Sequence, residues 1–212
     1  MQRLPSNSKR AFWPMILFGD ILKELRGSHQ RILVVGPRTV GKTYFMNQSL
    51  EAYPKSLGII QSTITRPIRE EGDRKFYNLV TKEQFLEQRE YLEFVECDEH
   101  FGDYYGSSFI KAREVLKSRH GISAMTPEGV MAWHKECRFD FNLKILVLTA
   151  TEAVLIENMK RRGILDPAEQ DKYIKSASKF VLPPTIPHLK FEMTGTPADK
   201  NRILNLVGPL LK

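Results

Sequence analysis

The run Gly36-Pro37-Arg38-Thr39-Val40-Gly41-Lys42-Thr43 constrains this chain more than any other stretch of it. It fits the pattern G-x-x-x-x-G-K-[ST], and its surroundings give that match weight. Arg31-Ile32-Leu33-Val34-Val35 before it reads as a short strand buried on both faces, and Lys42 to Tyr53 after it reads as a helix closed by Pro54. A glycine-rich turn between a buried strand and a helix aims backbone N–H groups at a phosphate, with the positive end of the helix dipole behind them. In such a loop Lys42 reaches the β- and γ-phosphates and the Thr43 hydroxyl holds Mg2+. A chance glycine-rich turn would lack the strand and the helix.

The chain has 212 residues, 42% of them hydrophobic and 27% charged, so it can bury one proper core. The net charge of +7 favours polyanionic partners, and the loop turns that preference toward phosphorylated small molecules. No aromatic-basic RNA motif or zinc-finger spacing supports a nucleic-acid role. Two cysteines, Cys97 and Cys137, make no disulfide framework and suit a reducing compartment. The apolar run Met15 to Phe18 is too short to span a membrane. A cytoplasmic protein without a membrane partner is the expectation.

Along the chain, residues 1–30 read as an N-terminal extension with a docking helix from Pro14 to about Arg26. Strands are expected at Ser56 to Thr63, Phe76 to Val80, Tyr91 to Cys97, Gly121 to Thr126, Leu143 to Leu148 and Leu189 to Met193. Helices are expected at Lys82 to Arg89, Ile110 to Lys117, Thr151 to Arg162, Pro167 to Lys179 and Asp199 to Leu211. Arg66 to Lys75 reads as a loop, and Gly102 to Ser108 as a turn leading into a helix.

A phosphate loop alone does not choose the reaction. A guanine-reading Asn-Lys-x-Asp, which a GTPase would need, is not found. Ser62-Thr63-Ile64-Thr65-Arg66-Pro67-Ile68-Arg69 places two arginines on a proline-bent loop, where their planar guanidinium groups can converge on one phosphate. This run resembles the Ser-x-T-T-R-x-P-R segment of guanylate kinases. Glu71-Gly72, Phe76 to Val80, Glu83 with Phe85, Tyr91 to Phe94, Gly102 to Ser107, Gly129 and Lys160 to Gly163 continue the resemblance in order. It covers roughly residues 31–211.

The resemblance implies a P-loop NTPase fold: a three-layer α/β core on a parallel sheet, a small mixed α/β acceptor-binding lobe at about 62–108 and a helical lid at about 158–178. It implies ATP and GMP as substrates, Mg2+ as cofactor and in-line phosphoryl transfer that yields GDP. ATP contacts would be Gly36, Thr39, Val40, Gly41, Lys42, Thr43 and Tyr44, with the metal at Thr43. GMP contacts would be Ser62, Arg66, Arg69, Tyr77, Glu93, Tyr105, Ser107 and Thr126, with Glu93 facing the guanine ring. Lys42, Arg66, Arg161 and Arg162 would be the catalytic cations. The resemblance leaves oligomeric state open.

Three departures stand out. Ala124 to Gly129 lacks both aspartates of the family's D-x-D-x-Q-G segment. Three extra residues between Glu93 and the Tyr104-Tyr105-Gly106 turn are expected to widen a loop around Cys97 to His100. A second lid arginine is replaced near Tyr173. These keep two alternatives open: a kinase of the same fold with another acceptor, such as a ribose bisphosphate, and a catalytically weakened binding module.

Overall fold

The computed structural model describes residues 29–68, 71–91, 93–100, 102–137, 142–177 and 180–212. The expected docking helix and Arg69 lie outside the described residues.

Five strands build the central sheet: β1 (Arg31–Val35), β2 (Leu57–Ile59), β7 (His120–Met125), β8 (Leu143–Ala150) and β9 (Leu189–Met193). Their order is β2-β7-β1-β8-β9, and every neighbouring pair is parallel. Parallel neighbours need crossovers, and helices supply them. These are α1 (Lys42–Ala52), α3 (Phe109–Leu116), α4 (Pro127–Cys137), α5 (Glu152–Arg161) and α6 (Pro167–Ala177), while α7 (Ala198–Leu210) follows the last strand and packs back onto the sheet.

The side-chain period of β1 explains why its whole length is apolar after Arg31. Ile32 and Val34 face one core with Phe45, Met46 and Leu50 of α1, Leu155 of α5 and Ile203 and Val207 of α7. Leu33 and Val35 face the other, with Ala112 and Leu116 of α3 and Val130 and Trp133 of α4. Two cores on two faces of one sheet make the expected three-layer arrangement.

A second sheet joins β3 (Ser62–Ile64), β4 (Tyr77–Leu79), β5 (Phe94–His100) and β6 (Asp103–Ser108) in the order β4-β3-β6-β5. It is mixed: β3 runs parallel to β4 and antiparallel to β6, and β5 and β6 form a hairpin. Phe85 of α2 (Lys82–Glu90) packs beneath it, stacked on Phe94 and Tyr104 at centroid distances of 4.6 and 5.4 Å. A capping box starts α2: Thr81 Oγ1 accepts from the Gln84 amide at 3.2 Å, and Gln84 Oε1 accepts from the Thr81 amide at 2.9 Å.

Five sequence expectations change. Ser56 to Thr63 is two strands, because the chain leaves the central sheet after Ile59 and enters the second sheet at Ser62. One continuous apolar run conceals that change of partner. Glu71–Lys75 is a short 3-10 helix inside the expected loop. Gly102 to Ser108 is a strand, since β5 supplies a partner that local turn composition does not reveal. Tyr91 caps the end of α2, so β5 begins at Phe94. Cys97 to His100, expected as a widened loop, continues β5 and pairs with β6 from Gly106 to Asp103. Helix α4 was not anticipated; its apolar face packs through Val130 and Trp133.

Beside the central sheet, the buried Asp199 ties the turn after β9 to α7. Its carboxylate accepts from the Thr194 amide, the Gly195 amide and the Thr194 hydroxyl, each at 2.9 Å, and from Arg202 Nη1 at 2.7 Å. Asp199→Ala removes the buried carboxylate that those donors share and is expected to cost about 3 kcal/mol of stability, measured by urea unfolding. A change below about 0.5 kcal/mol, the scale of an ordinary surface substitution, would contradict this role.

Candidate functional site

Strand order places the phosphate loop at the centre of the sheet. β1 lies between β7 and β8, so the carboxyl ends of three parallel strands surround residues 36–43. Open α/β sheets bind their ligands at such crevices. Two glycines meet geometric demands here. A Cβ on Gly36 would lie 2.8 Å from the Leu148 carbonyl oxygen, and Gly41 adopts φ +104 at the start of α1. Thr39 also has positive φ, at 65. Asn158 of α5 holds that strained residue, donating from Nδ2 to the Thr39 carbonyl at 2.9 Å.

The Lys42 ammonium folds back over the loop. Nζ donates to the Gly36 and Pro37 carbonyls at 2.7 and 2.8 Å. Burial, then Arg162, then Arg38 lower its pKa to about 7. Val40 is buried against the core, while Thr43 lies half-buried in the first turn of α1 and Tyr44 is exposed. Arg162, at the end of α5, lies in the field of Lys42. Arg161 instead bonds Glu157 along its own exposed helix face at 3.2 Å.

A second polar centre lies in the mixed sheet. Arg66 is 6% exposed, and its Nη1 donates to Asp73 at 3.1 Å and to the Pro67 carbonyl at 2.8 Å. Its guanidinium sits 4.9 Å from the Tyr77 ring centroid. Burial disfavours the Arg66 charge, but Asp73 and then Tyr77 outweigh it, so Arg66 holds its proton more tightly than usual. Burial raises the Tyr77 phenol, against the opposing pull of Arg66. Tyr105 acts on both groups electrostatically, so these three expected residues share one neighbourhood.

Sheet register gathers the remaining candidates. Ser62 pairs with Tyr77 on one side and Ser107 on the other, and Ile64 pairs with Tyr105. The Ser107 hydroxyl donates to Glu96 Oε1 at 2.7 Å. Glu96 is Ser107's partner across the hairpin, with a register shift between Phe94 and Glu96. Glu93, the carboxylate expected opposite Ser107, precedes that strand, and its amide bonds the Gln88 carbonyl at 3.1 Å. Spacing forward from Tyr91 points to Glu93, whereas spacing back from the Gly102 turn points to Glu96. Its carboxyl carbon lies 3.2 Å from where a Cβ on Gly129 would stand. Thr126 closes the cluster, its hydroxyl accepting from the Gly129 amide at 3.1 Å.

The sequence model of the guanylate kinase family matches residues 28–127, the stretch holding both polar centres. Over that stretch the chain is similar to guanylate kinases. A guanylate kinase of Paraburkholderia xenovorans is 29% identical over 64% of this chain and 60% of its own length. One from Chlamydia felis is 27% identical over 67% of this chain and 69% of its own length. The chain therefore matches roughly two thirds or less of several curated relatives. A crystal structure of guanylate kinase from Anaplasma phagocytophilum shares the fold, with TM-score 0.58, 20% identity and 86% of each chain covered. Among the described residues, no helix is long and apolar enough to cross a membrane.

The Lys42 environment sets a pH dependence. A bound polyphosphate favours the ammonium form and raises its pKa, so above pH 7 binding must take up a proton. ATP affinity is expected to fall by up to about tenfold per pH unit between 7 and 9, measured by titration calorimetry. Equal affinity at both ends of that range would contradict this environment for Lys42.

Proposed function

We propose that the chain transfers the terminal phosphoryl group of ATP to GMP, giving ADP and GDP. The observation that carries this reading is the Glu96–Ser107 pair, a carboxylate at the mixed sheet held by a hydroxyl at 2.7 Å. Guanine presents N1–H and an exocyclic NH2 on one edge, and a carboxylate can accept from both. Adenine presents an acceptor at N1 and would leave the carboxylate unpaired. Glu96 takes the guanine-facing role first expected of Glu93. Ser62, Ser107 and Thr126 border the same base, while Arg66, Arg69, Tyr77 and Tyr105 hold the acceptor phosphate.

Gly36, Thr39, Val40, Gly41, Lys42, Thr43 and Tyr44 form the donor side, where loop N–H groups and Lys42 take the ATP phosphates. Triphosphate binding replaces the Gly36 and Pro37 carbonyls as acceptors for the Lys42 ammonium. An acceptor phosphate oxygen then attacks the γ-phosphorus as its bond to the β–γ bridging oxygen breaks, and ADP leaves. No general base is needed, because the acceptor oxygen is already anionic. Arg162 supports the charge that develops on the transferred group, and Arg161 stands beside it on the lid.

Mg2+ fits this site through Thr43. Among the described residues, no cluster of three or more His, Cys, Asp or Glu side chains could hold a metal alone. Mg2+ needs no such cage, since it keeps waters and binds chiefly through substrate phosphates. When bound, it neutralises charge on the β- and γ-phosphates.

A second acceptor remains the competing reading, because the end of β7 carries Ala124 and Thr126 where the family pattern has carboxylates. A coupled assay with ATP and GMP, AMP and ribose phosphates separates the two. A preference for GMP supports this function, and faster turnover of a non-guanine acceptor overturns it. Glu96→Gln is expected to lower kcat/KM for GMP about hundredfold, near 2.7 kcal/mol, with the ATP KM little changed. Glu93→Gln is expected to stay within about threefold. The reverse ranking would return the guanine-facing role to Glu93. Lys42→Ala is expected to lower transfer by more than about a thousandfold, and turnover within tenfold of the parent contradicts the donor assignment.

A further inference from the structure

Arg38 lies inside the phosphate loop, at a position where any side chain satisfies the loop pattern. Its guanidinium stacks 4.6 Å from the ring centroid of Tyr173, on α6. The two residues line a cleft of about 470 Å³ with Asp166, Ala168, Glu169 and Lys172. Both acids of that cleft have other partners. Asp166 Oδ1 accepts from the Ala168 amide at 3.1 Å at the start of α6, and Glu169 Oε1 accepts from the Tyr173 hydroxyl at 3.1 Å.

Arg38 also acts on Lys42, as Arg162 does, so three cationic side chains share the mouth of one loop. Among the described residues, no ion pair joins any of the three to a carboxylate. Like charges held together in this way are stabilised when a polyanion arrives. The loop around Arg38 is also fixed, because Asn158 anchors the next residue through its carbonyl.

We propose that Arg38 contacts the terminal phosphoryl group of the bound triphosphate, and that Tyr173 is the positioning residue that aims it. This deepens the kinase reading above and rests on it. The arginine fork enters from the donor loop, and α6 carries the aromatic face that orients it. The geometry thereby links the placement of α6 to the charge available at the transferred group, where a planar guanidinium matches phosphate oxygens better than an ammonium does.

The test uses the full-length chain with ATP and GMP, read as kcat, ATP KM and calorimetric affinities for ATP and ADP. Arg38→Ala is expected to lower kcat about hundredfold and to weaken ATP about tenfold while leaving ADP within about threefold. Arg38→Lys should keep most of the loss, because it lacks the planar fork. Tyr173→Phe keeps the ring and should behave as the parent. Tyr173→Ala should lower kcat about tenfold in the parent yet have little effect in the Arg38→Ala background.

Arg38→Ala with kcat and ATP affinity both within threefold of the parent overturns the proposal. So does Tyr173→Ala costing the same with and without Arg38, which would mark Tyr173 as merely structural. A parent that binds ATP but phosphorylates no monophosphate sinks the kinase reading. The ATP-against-ADP comparison then still decides Arg38: selective loss of ATP affinity supports the contact, and equal loss of both refutes it. A parent that binds neither nucleotide overturns both.

Discussion

A lysine ammonium with two loop carbonyls as its acceptors organises this molecule. Lys42 can reach Gly36 and Pro37 only because the loop curls tightly between β1 and α1. That curl requires Gly36 against the Leu148 carbonyl, Gly41 at positive φ and the strained Thr39 held by Asn158. The central position of β1 fixes both ends of the loop, because β7 and β8 flank it and apolar side chains cover both of its faces. The two carbonyls satisfy the ammonium internally. A polyphosphate competes with two carbonyl oxygens and offers formal negative charge, which they lack.

The mixed sheet carries a second electrostatic arrangement of the same kind. Arg66 is charged and buried, and Asp73 compensates it at 3.1 Å. A buried cation with one carboxylate partner keeps its proton while its geometry is fixed. The phenols of Tyr77 and Tyr105 lie in its field without adding net charge. Both centres are thus held in shape by internal acceptors that stand where phosphate oxygens are expected to act.

Part of this organisation could be read from sequence because it is local. A glycine-rich octapeptide between an apolar run and a helical pattern specifies a phosphate loop by itself, and Thr81-x-x-Gln84 specifies a helix start. The second sheet was harder to read. β5 and β6 are polar along much of their length, and strands of that kind are stabilised by partners distant in sequence rather than by their own composition. The Ser56 to Thr63 stretch failed for a related reason: its apolar residues serve two different sheets, and hydrophobicity does not name the partner. The register shift between Phe94 and Glu96, which spacing along the chain does not reveal, sets Glu96 rather than Glu93 against Ser107.

The order of amino acids alone specifies the glycine-rich loop, its lysine and threonine, the strand and helix that carry them, and a basic balance suited to phosphate. Those features depend on contiguous residues whose backbone chemistry is the same wherever the chain places them. Only the tertiary structure decided which carboxylate faces Ser107, which partner Arg66 keeps, and that Arg38 lies against Tyr173 of a helix far along the chain. Each of those is a distance between residues that separate strands and helices bring together, and such distances arise from sheet register and layer packing.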